Sequence, residues 1–481
     1  MYKVVIGLEV HCELDTNIKN FSKAKNSFSK EANTQVAPLD IGLPGTLPYP
    51  NEEAVKKALK TALALNCKIP DELLFDRKHY FYPDLPIGYQ ITQNTKPIGK
   101  NGYLEFYVGE EIKRVDIHQL HLEVDTASLE HFNNFSLIDY NRSGIPLMEI
   151  VTEPCIHSAD EAVAFLEALR SVFLYCQVSE ADSKKGQMRC DVNISLMKEG
   201  SKEFGTKIEM KNINAFNTVR SSIEYEIKRQ SKLLDAGEAV IQETRRFNED
   251  DGKTHAMRKK EDALDYRYMI DPNIVPIKLS EDFVEDVRKT VPTLEHDRIV
   301  KYINEYKLSQ YDATILAKTK EVSDYFEEVI SLGAGILESA NWMITIILGS
   351  LNKLEIELSE LFISPKMLAE TIKLVEAGDL SQDQAKKIIY RSLAEKIDPI
   401  EIIKKENLKQ IYDTDIIRKV ANEAIDENPN VLEQYFEGKD YVANFFIGKI
   451  MQKTNRQANP AVSLEIVKEE LEIRRKEHEK K

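Results

Sequence analysis

Four short stretches place ionisable side chains two residues apart, the spacing that puts them on one face of a β-strand. In VVIGLEVHCEL, Val5, Gly7, Glu9, His11 and Glu13 share a face, and Val4, Ile6, Leu8, Val10 and Cys12 share the other. In HLEVDTAS, His121, Glu123 and Asp125 alternate with Leu122 and Val124. In MRCDVNIS, Arg189, Asp191, Asn193 and Ser195 share a face. In TKIEMKN, Lys207, Glu209 and Lys211 stand against Ile208 and Met210. A Glu-x-His pair on a strand face can hold a divalent metal or work as acid and base. One such strand is ordinary, because a solvated outer face looks the same. Four together predict a polar concavity that binds a charged ligand. Oxygen donors with a His favour Mg²⁺ or Mn²⁺ over a structural zinc. Lys and Arg among the carboxylates suit phosphate bridged by a metal.

FDRKHYFYPDLPIGYQITQ (75–93) reads as a loop dense in aromatics and charges. Asp76, Arg77, Lys78, Tyr80, Tyr82, Asp84, Tyr89 and Gln90 suit a binding loop, with rings for a base or ribose and cations for phosphates. An edge segment with outward tyrosines fits equally well. QETRRF (242–247) and DYRY (265–268) are similar Arg-aromatic clusters. The P-loop, the GxSxG elbow, HExxH, paired CxxC and a Rossmann GxGxxG are all absent. A nucleotide would therefore be held without the common cradles.

These segments need a scaffold, and the chain is long enough to supply one. Its 481 residues suggest two to four domains, and 42% hydrophobic content is enough for a core. Lys and Arg number 65 against 80 Asp and Glu, a formal charge of -15, which excludes a uniformly basic nucleic-acid binder. Five cysteines without a close pair indicate neither a disulfide framework nor a zinc knuckle. Glu9 interrupts the first apolar stretch, so no signal peptide is expected, and no apolar run reaches membrane-spanning length. A cytoplasmic protein is the expectation.

The region up to about residue 290 reads as β-rich, with amphipathic helices at 159–178 and 217–236. Composition changes at TVPTLEHD (290–297), and the pattern is helical from there. Val322, Phe326, Val329 and Ile330 form an apolar stripe, and Ser381 with Gln384 predicts a capping box. A break is expected near 398–412. The chain ends in a predicted helix pair, YVANFFIGKIMQKT and a second helix opened by Asn459-Pro460. Residues 441–481 hold nine Lys or Arg and six Asp or Glu, a basic tail on an acidic body. That asymmetry suggests an anionic partner, although a solvated terminal helix is the plainer account. The expected class is α+β: a β-rich cradle domain with a polar concave site (1–290), an all-α domain (291–404) and a small all-α tail (405–481).

GLEVH (7–11), LPGTLP (43–48), FDRKHYFYPDLPIGYQITQ, IDYNRSGIPLMEIVTEP, RCDVNIS, KIEMKNINAF, QETRRF and DYRY occur in one order, followed by ANP in the tail. In these motifs the whole chain resembles the B subunits of tRNA-dependent amidotransferases, the GatB family. The resemblance implies a heterotrimer with an amidase A subunit and a small C subunit. It implies ATP and Mg²⁺ as cofactors, and conversion of Glu-tRNA(Gln), Asp-tRNA(Asn) or both to the amide. The B subunit phosphorylates the side-chain carboxylate, and ammonia from the A subunit displaces the phosphate. The helical and tail domains grip tRNA. Matched by motif, Glu9, His11, Glu123 and Glu209 fall on catalytic and metal positions, with Asp191 and Asn193 adjacent. Arg77, Lys78, Tyr82, Lys207 and Lys211 join Asp191 and Asn193 as candidate nucleotide contacts. The Cys cluster of zinc-bearing members is missing, so no zinc is expected.

Some positions depart from the pattern. Val124 replaces the second acid of H-x-E-E-D, and Ile87 replaces a Lys before Gly-Tyr-Gln. Ala127, Ser128, Lys184, Lys185, Gln187, Met269, Ile270, Asp271 and Asn273 also differ. Loss of a carboxylate at 124 predicts weaker metal binding. It also raises an alternative, a divergent paralogue that binds tRNA as a scaffold with weak or no kinase activity. A stand-alone ligase for a free acid is a third reading, against which the long helical region and basic tail speak.

Overall fold

The apolar halves of the alternating strands build the core. The computed structural model describes residues 2–213, 215–259, 265–406, 414–436, 438–454 and 457–478. The chain divides into two compact units, Met1–Lys301 with Ala317–Lys320, and Tyr302–Leu316 with Glu321–Lys481.

The first unit is organised on one eight-stranded sheet. Its strands are β1 (Tyr2–Glu13), β2 (Gly99–Val108), β3 (Glu111–Val124), β4 (Pro146–Thr152), β5 (Met188–Lys198), β6 (Ile208–Ile213), β7 (Glu243–Asn248) and β8 (Lys253–Lys259). Their spatial order is β8-β7-β6-β5-β1-β4-β3-β2. Neighbours run antiparallel, except that β6 and β7 are parallel. Ile6, Leu8, Val10 and Cys12 of β1 are fully buried, as are Leu120 and Leu122 of β3 and Val192 and Ile194 of β5. Together with Phe165, Leu166 and Leu169 of α2 (Ala159–Tyr175) they form one core.

α2 and α3 (Phe216–Asp235) match the two helices expected here. Ser158 caps α2 by accepting from the Glu161 N–H, whereas the first turn of α3 has no side-chain cap. α1 (Glu52–Ala64) is an addition to the expectation. Asn51 caps it, accepting from the N–H groups of Glu53 and Ala54, and Ala54, Ala58, Leu59 and Ala62 are buried. The run 75–93 is stranded at both ends, as the edge-segment reading expects: Asp76–His79 and Tyr89–Thr92 pair antiparallel, and Met269–Ile270 pairs with the first of them. Buried Asp76 holds the exit, accepting from the N–H groups of Asn94 and Thr95.

The second unit is helical where described, which completes the α+β class. Val322, Phe326 and Val329 are buried as the stripe requires, and Ser381 with Gln384 forms the capping box. The expected break at 398–412 begins instead with a helix, Pro399–Glu406, and 407–413 lie outside the described residues. The final pair is Ala443–Lys453 and Pro460–His478. Asn459 caps the second, accepting from Ala461 and Val462 N–H. Phe446, Ile450, Ile466, Val467 and Leu471 pack with Ile417, Ala421 and Ile425 in a separate core. Among the described residues no helix is long and apolar enough to cross a membrane.

Candidate active site

Strand register decides which polar side chains meet. Directly opposed residues of an antiparallel pair point to the same face. His11 lies opposite Arg189 on β5 and Glu149 on β4, and Glu149 lies opposite His121 on β3. One residue pair along, Glu9 lies opposite Asp191, and Asn193 lies opposite Glu209 of β6. A bulge in the β5–β6 ladder moves the partner of Cys190 to Ile213 and that of Val192 to Met210. Asp191 therefore faces an extra residue, which brings Lys211 within reach of it.

The result is two groups of ligand-type atoms. In each, the donor atoms lie within 4.8 Å of one another. The first is His11, Glu123 and Glu149, and the second is Glu9, Asp191 and Glu209. His11 Nε2 is 3.4 Å from Glu149 and 3.6 Å from Glu123. His121 Nε2 is 3.2 Å from Glu149 and 3.8 Å from Glu123. In the second group, Lys211 Nζ is 3.0 Å from Glu209 and 3.1 Å from Asp191. Thr244 donates its hydroxyl to Glu209 at 2.9 Å, and Asn193 donates its amide to Glu9 at 2.8 Å. The Asn193 Oδ1 is buried with no hydrogen-bond partner among the described residues.

Electrostatics tie the face together. Burial pulls the His11 pKa down, but hydrogen bonding to Glu149 and the charges of Glu149 and Glu123 raise it to about 8. His121 is raised to about 10 against the same burial, chiefly by Glu149 and Glu123. Burial opposes ionisation of Glu149, yet the two imidazoles hold it well below the usual carboxylate range. Lys78 is raised, because Glu123, Glu149 and nearby tyrosines outweigh its burial, and its ammonium lies 4.9 Å from the Tyr266 ring centre. Lys211 is raised by Asp191 and Glu209 despite burial. At the end of the face, Asp125 accepts from Arg142 at 2.7 Å and from Arg189 at 2.9 Å. Burial and Asp125 push Glu13 up to about 7, against the pull of Arg142 and Arg189.

Carboxylate oxygens, an imidazole and an unpartnered amide oxygen are the donor set of a hard divalent cation. Ammonium and imidazolium groups among them balance the carboxylate charge.

A model of the GatB/GatE catalytic domain matches residues 4–285, and a model of the GatB domain matches residues 324–471. The chain belongs to the GatB/GatE family. It is 43% identical over 469 residues to the B subunit of the aspartyl/glutamyl-tRNA(Asn/Gln) amidotransferase of Persephonella marina, covering 97% of this chain and 99% of that protein. It is 44% identical over 474 residues to the corresponding protein of Oceanobacillus iheyensis, covering 98% and 100%. That of Geobacillus thermodenitrificans matches to the same extent.

Both clusters lie inside the GatB/GatE catalytic-domain match. The four residues expected to share one metal site, Glu9, His11, Glu123 and Glu209, are divided between the two groups. Asp191, Asn193, Lys78 and Lys211 stand beside them as described. Arg77 does not. Its guanidinium is held by Asp271 through bonds of 2.9 and 3.2 Å and stacks 4.2 Å from the Tyr89 ring centre. Adjacent strand residues face opposite ways, so Lys78 reaches the site and Arg77 turns from it. Tyr82 is exposed in the 80–88 connection, and Lys207 is exposed just before β6. Glu149 and Thr244 join the face, although the motifs do not mark them as site residues, and His121, read on this face from its spacing, meets Glu149. For Glu149 the available signal is period two in PLMEIVT, with one acid among apolar neighbours.

The departures at 124 and 87 also change meaning. Val124 is 7% exposed and lines a small space of ≈ 30 Å³ with Ile87, Phe21, Leu39 and Ile91, and with Asp40, Asp125 and Ser143. Its side chain is on the apolar side of β3, opposite to Glu123. Neither departure removes a donor from either group, which corrects the expected loss of a ligand.

Proposed function

We propose that this chain is the ATP-using B subunit of a glutamine-dependent aminoacyl-tRNA amidotransferase. Its substrate is Glu-tRNA(Gln), Asp-tRNA(Asn) or both. Its partners are an amidase A subunit and a small C subunit, and a tRNA substrate places the work in the cytoplasm. The region 1–290 carries the chemistry, and the helical regions 291–404 and 405–481 bind tRNA. The observation that carries the reading is the pair of carboxylate-rich groups side by side on one sheet face, flanked by Lys78 and Lys211.

A carboxylate is a poor acyl donor because its oxyanion leaves badly. In the first step a side-chain carboxylate oxygen attacks the γ-phosphorus of ATP. The bond to the β–γ bridging oxygen breaks, and ADP leaves. In the second step the ammonia nitrogen attacks the acyl carbon, the C–O bond to phosphate breaks, and the nitrogen gives up a proton. His11, Glu123 and Glu149, with Glu9, Asp191 and Glu209, would hold Mg²⁺, which offsets charge on the transferring phosphoryl group. Lys78 sits where its ammonium can pair with the acceptor carboxylate. Lys211 supplies a second cation for the phosphates. His11 must be neutral to act as a ligand, so site loading releases its proton.

The scaffold alternative drew on Val124 and Ile87. Both side chains lie on the side of β3 away from the two groups and line a space apart from them, which weakens that motive. The test is amide formation on Glu-tRNA(Gln) by the chain with its A and C partners, ammonium replacing glutamine. Gln-tRNA that appears only with ATP and Mg²⁺ supports the reading. Bound tRNA with no product would favour the scaffold.

A further inference from the structure

β6 and β7, the parallel neighbours of the sheet, are joined by α3 as a crossover helix. β7 meets β6 over two residue pairs, Glu209 with Thr244 and Met210 with Arg245. A ladder that short holds a strand weakly. Yet the contact between Thr244 and Glu209 depends on where β7 sits. Glu209 is held at both oxygens, Oε1 by Lys211 at 3.0 Å and Oε2 by the Thr244 hydroxyl at 2.9 Å.

The helix supplies a second hold on β7. Val219, Ser222, Ile223, Glu226 and Gln230 are the buried stripe of α3. Glu226 has no exposed surface and occupies a position where an apolar residue would normally pack. Arg229 grips it through two bonds of 2.9 Å, and Gln230 donates at 3.1 Å. The Thr254 hydroxyl of β8 donates to it as well, and Arg245 Nε of β7 lies 3.3 Å away. Arg245 also donates to the Thr254 hydroxyl at 2.8 Å and to the Thr254 carbonyl at 2.6 Å, and it pairs with Glu243. Burial opposes ionisation of Glu226, yet hydrogen bonds from Arg229, Thr254 and Gln230 hold its pKa below the usual carboxylate value. Apolar packing at such a position is often as stabilising as a buried ion pair, so stability alone explains Glu226 poorly. Geometry explains it better. Adjacent strand residues face opposite ways, so Arg245 meets the helix while Thr244 reaches the polar face.

We infer that Glu226 is a positioning residue, which through Arg245 fixes β7 so that the Thr244 hydroxyl meets Glu209. The inference rests on the reading above that the polar face carries the chemistry. Glu226 belongs to neither group of ligand-type atoms, so it acts on them only through β7. Loosening β7 releases Oε2 of Glu209 and lets that carboxylate turn, and a small misplacement of a reacting or ligating group is costly to rate.

The test uses the chain in complex with its A and C partners, with ammonium as nitrogen donor. Glu226→Gln removes the charge and keeps the shape, and Arg245→Lys keeps a charge and loses the fork. Each is made alone and together with Thr244→Val, which removes the hydroxyl. Alone, Thr244→Val, Glu226→Gln and Arg245→Lys each lower kcat for ATP-dependent Gln-tRNA formation about 10-fold, while KM for aminoacyl-tRNA stays within about twofold. In the Thr244→Val background Glu226→Gln and Arg245→Lys lower kcat by less than about twofold, because the contact they serve is already gone. Melting temperature falls by the same amount in both backgrounds, so lost stability does not account for the kcat pattern. Amide exchange speeds up in β7 and stays at the wild-type rate in β1 and β5. If Glu226→Gln does not fold, Arg245→Lys gives the same readouts. A kcat penalty carried whole into the Thr244→Val background overturns the inference, as does unchanged exchange in β7. A wild type that makes no amide overturns the functional reading, and the exchange result then decides the hold on β7 by itself.

Discussion

His11, Glu123 and Glu149 on one side of the sheet face, and Glu9, Asp191 and Glu209 on the other, offer nearly the same donors and balance their charge differently. The first group is neutralised by imidazoles, His11 and His121, with Lys78 nearby. The second is neutralised by the Lys211 ammonium. An imidazolium that loses its proton becomes a metal ligand in place. An ammonium has no such option near neutral pH and must move for a metal to enter. If both groups hold metal as proposed, the first would be a site converted by proton loss, and the second a site that a side chain guards.

The largest way to break this comparison is at Glu149, which touches both imidazoles. Glu149→Gln keeps the shape and removes the charge that raises both His residues. ATP-dependent acyl-phosphate formation, followed as ADP release with Glu-tRNA present, falls roughly 10³-fold. Turnover within a few-fold of wild type would mean the first group holds no catalytic metal.

The next effect is on stability and concerns Val124. If the missing acid belonged to the site, Val124→Glu would restore a ligand and raise turnover. Because the side chain lies among Phe21, Leu39, Ile87 and Ile91 with Asp40 and Asp125 in the same wall, the new carboxylate is buried among apolar groups and like charges. The cost is about 3 kcal/mol or more. Thermal melting is expected to drop by several degrees, with no gain in turnover. A stable, more active variant would place residue 124 on the polar face.

A smaller effect sharpens the contrast through pH. In chelator, the folded-state pKa of His11 is near 8 against an ordinary 6.5. The protonated ring therefore contributes stability that is fully present below 6.5 and lost as pH rises through 8, at most about 2 kcal/mol. His121, raised to about 10, extends the loss further. Glu13, raised to about 7, adds loss at lower pH, between its ordinary 4.5 and 7. Melting temperature in chelator should fall from pH 6.5 to 8. His11→Gln should flatten that slope, and Mg²⁺ should too, since it takes the neutral ring. An unchanged slope in His11→Gln would remove His11 from the balance.

Much of this is legible in the sequence alone, for a local reason. Period-two alternation assigns faces within a strand, so the polar halves of β1, β3, β5 and β6 can be read directly. What alternation cannot supply is register between strands distant in the chain. Glu9 and His11 are two residues apart and end in different groups, because the acid opposite Glu9 is Asp191 on β5 and the acid opposite His11 is Glu149 on β4. Glu149 is one acid in an apolar run, and its role exists only through His11 and His121 across the ladders. Thr244 carries no charge to mark it. Arg77 and Lys78 look equivalent until strand pairing turns them to opposite sides. α1 differs from these, because its signs are local: an Asn cap and spaced alanines that periodicity alone could have revealed.

The smallest expected effect is the sharpest test of the guarded site. Lys211 lies between Glu209 and Asp191, so a cation entering that group meets a like charge about 3 Å from its ligands. The Lys211 side chain is 40% exposed, so solvent screens the repulsion. Lys211→Met keeps the chain's length and removes the charge. Mn²⁺ binding at the second group should then tighten about tenfold. Titration of the nucleotide-free protein should show about one tight Mn²⁺ in wild type and about two in Lys211→Met. Glu209→Gln in the same background should return the count to about one, which ties the added ion to this group. Two tight ions already in wild type would mean that Lys211 guards nothing and that the two groups differ only in their ligands.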